Sequence, residues 1–403
     1  MNSSAQHRSR GRLTWTVFAA LAAFGVLNAG LGPALPYLRA AEHLSYVQGV
    51  LLQVAFAVGG GVAGLLTARA GPGWPRAIVI RGGLLAAALC WLLVGYGGTL
   101  PVRVAAAGLV SLFGSAAVVR MWAVLADVHG PRRTVALAEG EVAVSLGGIV
   151  SPLLIGLMVG SPLGWRGAFG LAAALTGLAV ALTAPVTVPQ APRQRAALPA
   201  LDQPAPMPAR RPVPAHRAGR TPGPPPALLI AAAVVALEFG IAFWLASYLT
   251  DAVHVGLDAA VASVSGLYVA SLAGRLLVGR LARRFATATL LAGALLLAIA
   301  GLATLIAAGS AVVAEIGVAV AGTGIGAMFP LVSSLHVAAT VGVADTAVGE
   351  VFAAASVGQL LGPLLVAPLA QLAGFRIAFL LLPGYALVAI LALARHHRRT
   401  ALP

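Results

Sequence analysis

The stretch ALEFGIAFWLASYL (236–249) sets one carboxylate, Glu238, in the middle of a run that otherwise suits hydrocarbon. Glu238 lies about 16 Å along a helix rising about 1.5 Å per residue, near the middle of that run. Low-dielectric surroundings disfavour the charged form of an acid. Such a group serves either as a neutral hydrogen-bond donor that ties helices together or as a carrier that takes a proton from one side and releases it on the other. Arg275, in a later apolar run, is a candidate to neutralise it and to touch a substrate. Arg120 either snorkels to the nearer interface or meets a substrate anion, and Arg81 is expected to snorkel. Glu139, Glu141 and Glu350 stand one or two turns inside their runs, where they serve as helix-end partners for nearby arginines or, as the alternative, line a proton pathway. Asp127 with Arg132 or Arg133 forms either a gate or a solvated pair. Asn28, Gln53, Ser271 and Gln359 each line a cavity or bridge helices, and Tyr248 is a further cavity candidate. Trp244 is an interfacial anchor or a site residue.

Other chemistries have little to work with. The eight histidines form no HxxxH pair, and the single cysteine, Cys90, excludes disulfides and cysteine-based metal sites. No GxxxxGK[ST] loop is present, and a chain without lysine cannot contain one, so ATP-driven pumping on this chain is excluded. No cofactor or metal is expected; a proton gradient is the expected energy source.

The elements that must position these groups are written in the composition. Of 403 residues 60% are hydrophobic and 9% charged, far from the roughly 25% charged of a soluble domain. Twelve apolar runs approach the roughly 20 residues needed to cross a bilayer: 13–38, 45–67, 77–98, 101–126, 135–159, 166–186, 227–250, 259–282, 286–309, 311–335, 346–371 and 376–394. The first is too long for a signal peptide and lacks a cleavage site, so it is read as a membrane helix. The net charge of +15 is all arginine and falls in alternate connections: Arg8, Arg10 and Arg12, then Arg69 and Arg76, then Arg132 and Arg133, six between runs six and seven, then Arg283 and Arg284, then Arg395, Arg398 and Arg399. The opposite connections hold only Arg39, Arg103, Arg166 and Arg376. That alternation places both termini in the cytoplasm of a plasma-membrane protein and makes the basic charge a topology and lipid signal, not a nucleic-acid surface.

Composition divides the chain into a tail (1–12), six runs (13–186), a proline- and arginine-rich tether (187–226), six more runs (227–394) and a second tail (395–403). The halves repeat one another. Leu52 to Arg69 aligns with Leu267 to Arg284, matching Gly59 with Gly274, Gly64 with Gly279 and Arg69 with Arg284. Ala136 to Leu154 aligns with Ala347 to Leu365, matching Glu139 with Glu350, Ser145 with Ser356, Gly147 with Gly358 and Pro152 with Pro363. GWRGAF (164–169) returns as GFRIAF (374–379). Both alignments pair a run with the one six further on, so the repeats are parallel, related by an axis along the membrane normal.

At this point the chain resembles the major facilitator superfamily of secondary transporters, over both halves. GLLTARAG (64–71) and GRLARRFA (279–286) are similar to that family's signature after helices two and eight, with Ala68 and Arg283 where an acidic residue is usual. Gly64 and Gly279 are expected to allow close helix approach. GGIVSPLLIG (147–156) resembles the glycine-proline signature of the family's exporters, with Ser151 where glycine is usual; Gly358, Gly362 and Pro363 repeat it in GQLLGP. EFGIAFWLASYL is similar to helix seven of its sugar-proton symporters. The resemblance implies an all-helical fold of two six-helix bundles, a single-chain carrier of a small solute working by alternating access, a pathway lined in part by the Asn28 region, and loop residues Arg69, Arg133, Arg284 and Asp127 acting in gating. Proton-coupled export is the expected activity. Uptake of a sugar-like metabolite is the alternative, and a sensor or scaffold that no longer transports is the alternative of another class.

Overall fold

The computed structural model describes residues 3–70, 74–130, 133–190, 226–339 and 344–400, and every regular element among them is a helix. Most of the expected tether, with Arg132 and the side chains of Arg69 and Arg133, lies outside the described residues and side chains.

The helices are α1 (Ser3–Ala29), α2 (Leu31–Glu42), α3 (Tyr46–Ala70), α4 (Arg76–Tyr96), α5 (Leu100–His129), α6 (Arg133–Val159) and α7 (Gly167–Thr183) in the first half. The second half holds α8 (Pro226–Asp251), α9 (Leu257–Leu281), α10 (Thr287–Ala307), α11 (Ala311–Ala339), α12 (Ala344–Ala373), α13 (Phe375–Ala378) and α14 (Leu381–Thr400). Helix is the form such runs must take, because in lipid each backbone donor and acceptor has to be satisfied within its own segment. Eleven spans are long and apolar enough to cross a membrane, and α7, at 17 residues, is a shorter twelfth. The pair α1–α2 forms one crossing, broken at Gly30. A side chain at Gly30 would sit 2.6 Å from the Trp91 ring and 3.0 Å from Ser151 Oγ. Ser151, larger than the glycine usual at its position, therefore fits against a neighbour that has none.

Four helix pairs hold the halves together internally, and they are equivalent in the repeat. An ideal Cβ on Gly59 would lie 2.0 Å from Gly108 O (α3 on α5), and one on Gly274 would lie 2.0 Å from Thr323 O (α9 on α11). On Gly147 it would lie 2.1 Å from Ala22 O (α6 on α1), and on Gly358 and Gly362 2.2 Å from Ala232 O and Ala236 O (α12 on α8). Backbones meet here because no side chain intervenes, which is how helices gain contact where lipid offers no hydrophobic drive. Gly64 and Gly279 are different: nothing lies within 4 Å of where their Cβ would be. The expected close approach at those two is wrong; the paired glycines one turn earlier make it.

Arginines finish the helix ends. Arg81 does not snorkel freely: its guanidinium donates to Thr183 O at 2.6 Å and Val186 O at 2.9 Å, at the end of α7. Arg103 donates to Val94 O and Gly95 O at 2.7 and 2.9 Å, at the end of α4. Arg376 donates to Ile306 O and Ala308 O at 3.0 and 2.9 Å, at the end of α10. Terminal carbonyls have no intrahelical donor and carry partial negative charge, so a cation satisfies both needs.

Candidate functional site

The two halves meet along two helix pairs, α3 with α12 and α6 with α9; the second pair runs antiparallel, with α8 beside α9. One face of α9 carries Ser265, Tyr268 and Arg275 at helical spacing. Ser265 Oγ donates to Ile149 O at 2.9 Å, and the Tyr268 ring lies where a Cβ on Gly148 would be 3.1 Å away. Arg275 closes the row. Its Nη1 donates to Ser145 Oγ at 2.9 Å, and its Nε donates to Gly326 O at 3.1 Å. Two carboxylates flank it: Glu238 of α8 at 3.5 Å and Glu141 of α6 at 3.7 Å. The guanidinium thus touches both halves, and Tyr268 stands within electrostatic reach of Glu238 and Arg275. Glu238 and Glu141 keep 22% and 46% of their side-chain surface accessible, though both carboxyl groups lie deep among the helices. Such a cluster can exchange protons and bind small charged groups; among the described residues no grouping suited to a metal ion exists.

A second set of contacts joins the halves at the end opposite the termini. The Tyr37 hydroxyl donates to Asp258, and the Tyr46 hydroxyl donates to Asp251 at 2.6 Å. Arg39 pairs with Asp251 at 3.6 Å and lies over the Tyr46 ring, 3.7 Å from its centroid. The Tyr46 amide donates to Gln371 Oε1 at 3.1 Å. Helices α2 and α3 are thereby tied to α8, α9 and α12 at that rim.

The sequence candidates scatter. Glu238 and Arg275 come together. Asn28 and Gln359 are half-buried in α1 and α12. Gln53 is 4% exposed, closed off within α3 packing. Ser271 is buried, and its carbonyl is 1.9 Å from where a Cβ on Gly326 would be, so it belongs to the α9–α11 contact. Tyr248 does not line a cavity: it is fully buried, donates to Leu305 O at 3.0 Å and stacks on Phe379. Trp244 is neither anchor nor site residue, since its buried indole donates to Pro363 O at 2.9 Å. Tyr248 lies on the side of α8 turned into its own half, whereas the Trp244 ring also meets Tyr46 of α3 edge-on, with centroids 6.0 Å apart. Asp127 pairs with Arg76 at 2.7 Å, where the start of α4 abuts the end of α5; the expected pairing with Arg132 or Arg133 falls outside the described residues and side chains, and Arg120 lies near Arg76, toward the same end. Glu350 partners His336 at 2.8 Å instead of an arginine, and Glu141 partners an arginine distant in sequence. Arg284 is exposed in the turn after α9.

Sequence reasoning missed the cross-seam placement of Glu141, the aromatic face of Tyr268 and the rim pairs. A signal for the first existed: Glu141 and Ser145 are four residues apart, hence on one helical face.

A bacterial homologue of the human lysosomal transporter Spinster, solved inward-facing and unoccupied, superposes with a TM-score of 0.74 at 16% identity, covering 97% of each chain. The nucleoside transporter NupG gives 0.74 at 12% identity, over 96% of this chain and 99% of that one. The human organic anion transporter MFSD10 (TETRAN) gives 0.68 at 19% identity, over 95% and 99%. No curated protein matches the chain in sequence. These likenesses show the fold, and a family model, Major Facilitator Superfamily, matches residues 16–349. With twelve crossings in two repeated halves and that match over most of its length, the chain belongs to the Major Facilitator Superfamily and is a membrane transporter of small solutes, not an enzyme.

Proposed function

We propose that this transporter couples solute export to proton entry across the plasma membrane, with Glu238 as the proton carrier. The arginine-rich end, with both termini, faces the cytoplasm. The halves 13–186 and 227–394 rock about the α6–α9 seam, and 187–226 tethers them. One chain suffices, because both halves of the site are on it.

One observation carries this reading: Glu238 shares Arg275 with Glu141 and Ser145 of the opposite half. Ionised Glu238 attracts the guanidinium toward α8. Protonated Glu238 loses that attraction and leaves Arg275 to Glu141 and Ser145. A proton on one carboxyl therefore changes how strongly the two halves are linked, which is what coupling requires: a ligand that interacts differently with two states. Export rests on the exporter-like glycine-proline signature of α6, whose Gly147 packs against α1. Uptake loses support because Tyr248, an aromatic of the symporter likeness, is buried within its own half against Leu305 O and Phe379.

The test is a solute screen in everted vesicles, with wild type and Glu238→Gln side by side. Wild type is expected to show solute-dependent proton flux. The variant is expected to lose it by about 100-fold or more while retaining solute counterflow, which needs no proton cycle. Equal pH-driven flux in both would refute the proposal.

A further inference from the structure

We infer that the break in the first crossing is a binding site for one ordered water, held between Trp91 Nε1 of α4 and Ser151 Oγ of α6. The site lies within the first half, apart from the acid–arginine cluster, and is independent of how transport is driven. Beside Gly30 is a cavity of about 10 Å³, walled in part by Trp91, Ser151, Leu154, Ile155 and Phe169. That is the room one water needs, and too little for an organic guest.

The polar atoms at this cavity call for such an occupant. Trp91 is 3% exposed, and its indole N–H is buried with no acceptor among the described residues. A buried donor left unpaired has given up its bonds to bulk water for nothing, so interior donors find an acceptor, an ordered water included. The Trp91 ring is not free to turn toward another. Phe169 packs against it with centroids 4.8 Å apart, and its Cζ2 is 2.6 Å from where a Cβ on Gly30 would be. Nε1 and Cζ2 share the neighbour Cε2, so the N–H leaves from the ring edge that faces the break. Ser151 Oγ stands 3.0 Å from the same Cβ position, and Ser151 is 4% exposed.

A water at this point accepts from the indole and exchanges a hydrogen bond with the hydroxyl, the two partners that a buried water requires at the least. The backbone at the break favours hydration too. Pro33 has no N–H, so the Ala29 carbonyl lacks the donor four residues ahead that a regular helix supplies. Kinks are places where water enters the ladder. An apolar occupant would leave both side-chain groups unpaired. One water therefore joins α4 and α6 at the bend of α1–α2.

The test combines a map of the full chain in lipid nanodiscs, at a resolution that shows ordered water, with ultraviolet resonance Raman spectra of the indole N–H, isolated as wild type minus Trp91→Phe. Wild type should show one density within hydrogen-bonding distance of both Trp91 Nε1 and Ser151 Oγ, and a hydrogen-bonded N–H band. In Ser151→Ala the water keeps a single side-chain partner, so the density should be lost and the band should move to the position of a free N–H. Should Trp91→Phe fail to fold, wild type minus Ser151→Ala carries the same readout. A free N–H in wild type, a bonded N–H without water density, xenon density in the cavity under pressurised gas, or a band and density unchanged by Ser151→Ala would each overturn the inference.

Discussion

Arg275 is gripped by one backbone carbonyl and one hydroxyl and steered by two acids, so its charge and its shape are separable. Arg275→Gln leaves two carboxylates without their shared counter-charge, and transport should vanish. Arg275→Lys keeps the charge but cannot hold Gly326 O, Ser145 and both acids at once, since an ammonium is a point donor where guanidinium is a fork. Its transport should survive at roughly a tenth of wild type or less, as initial rates in vesicles would show. An untouched rate and pH profile in Arg275→Gln would remove the arginine from the mechanism. Glu238 and Arg275 were legible in the sequence because a charge in so apolar a run has few explanations. Glu141 was legible only in part: its spacing put it on one face with Ser145, but not which helix that face meets. Tyr248 failed for the same reason: its type fitted a cavity, but its side of α8 looks into the bundle.

At the level of the helices, glycine pairs locate the rigid contacts. Gly147→Val and Gly358→Val each force a side chain toward a carbonyl about 2.1–2.2 Å from the new Cβ, and overpacking of this kind costs about 1–3 kcal/mol or more. Both should lower the Tm in detergent and cut expression. Gly64→Ala and Gly279→Ala meet nothing within 4 Å, and helix interiors gain about 0.5–1 kcal/mol from that change. Their Tm should hold or rise. The reverse ordering would place the tight contacts elsewhere. The apolar runs foretold most helices to within a few residues, as 259–282 against Leu257–Leu281 shows. The glycines and prolines around Asn28 let the first crossing bend, and the break falls among them at Gly30, packed against Trp91 and Ser151 from other helices. The runs could not show that the twelfth begins with a short turn, α13, entered through Gly374 at φ +81.

Taken whole, the molecule is tied across its halves at the rim away from the termini as well as at the seam, by Tyr37–Asp258, Tyr46–Asp251 and Arg39–Asp251. Alternating access requires those rim contacts to part in each cycle. Tyr37→Cys with Asp258→Cys, joined by a short reducible methanethiosulfonate linker in a Cys90→Ser background, should stop transport, and reductant should restore it. Unimpeded transport while cross-linked would show that this rim does not open. The two-half architecture was visible in the internal repeat, but the rim was not, because its partners lie more than 200 residues apart in sequence. The central claim is that Glu238 gains and loses a proton at the seam, and infrared difference spectroscopy of the reconstituted protein tests it without knowledge of the solute. A protonated-carboxyl band that fades as pH rises in wild type and is missing from Glu238→Gln is the expected result. The same titrating band in both proteins would contradict it.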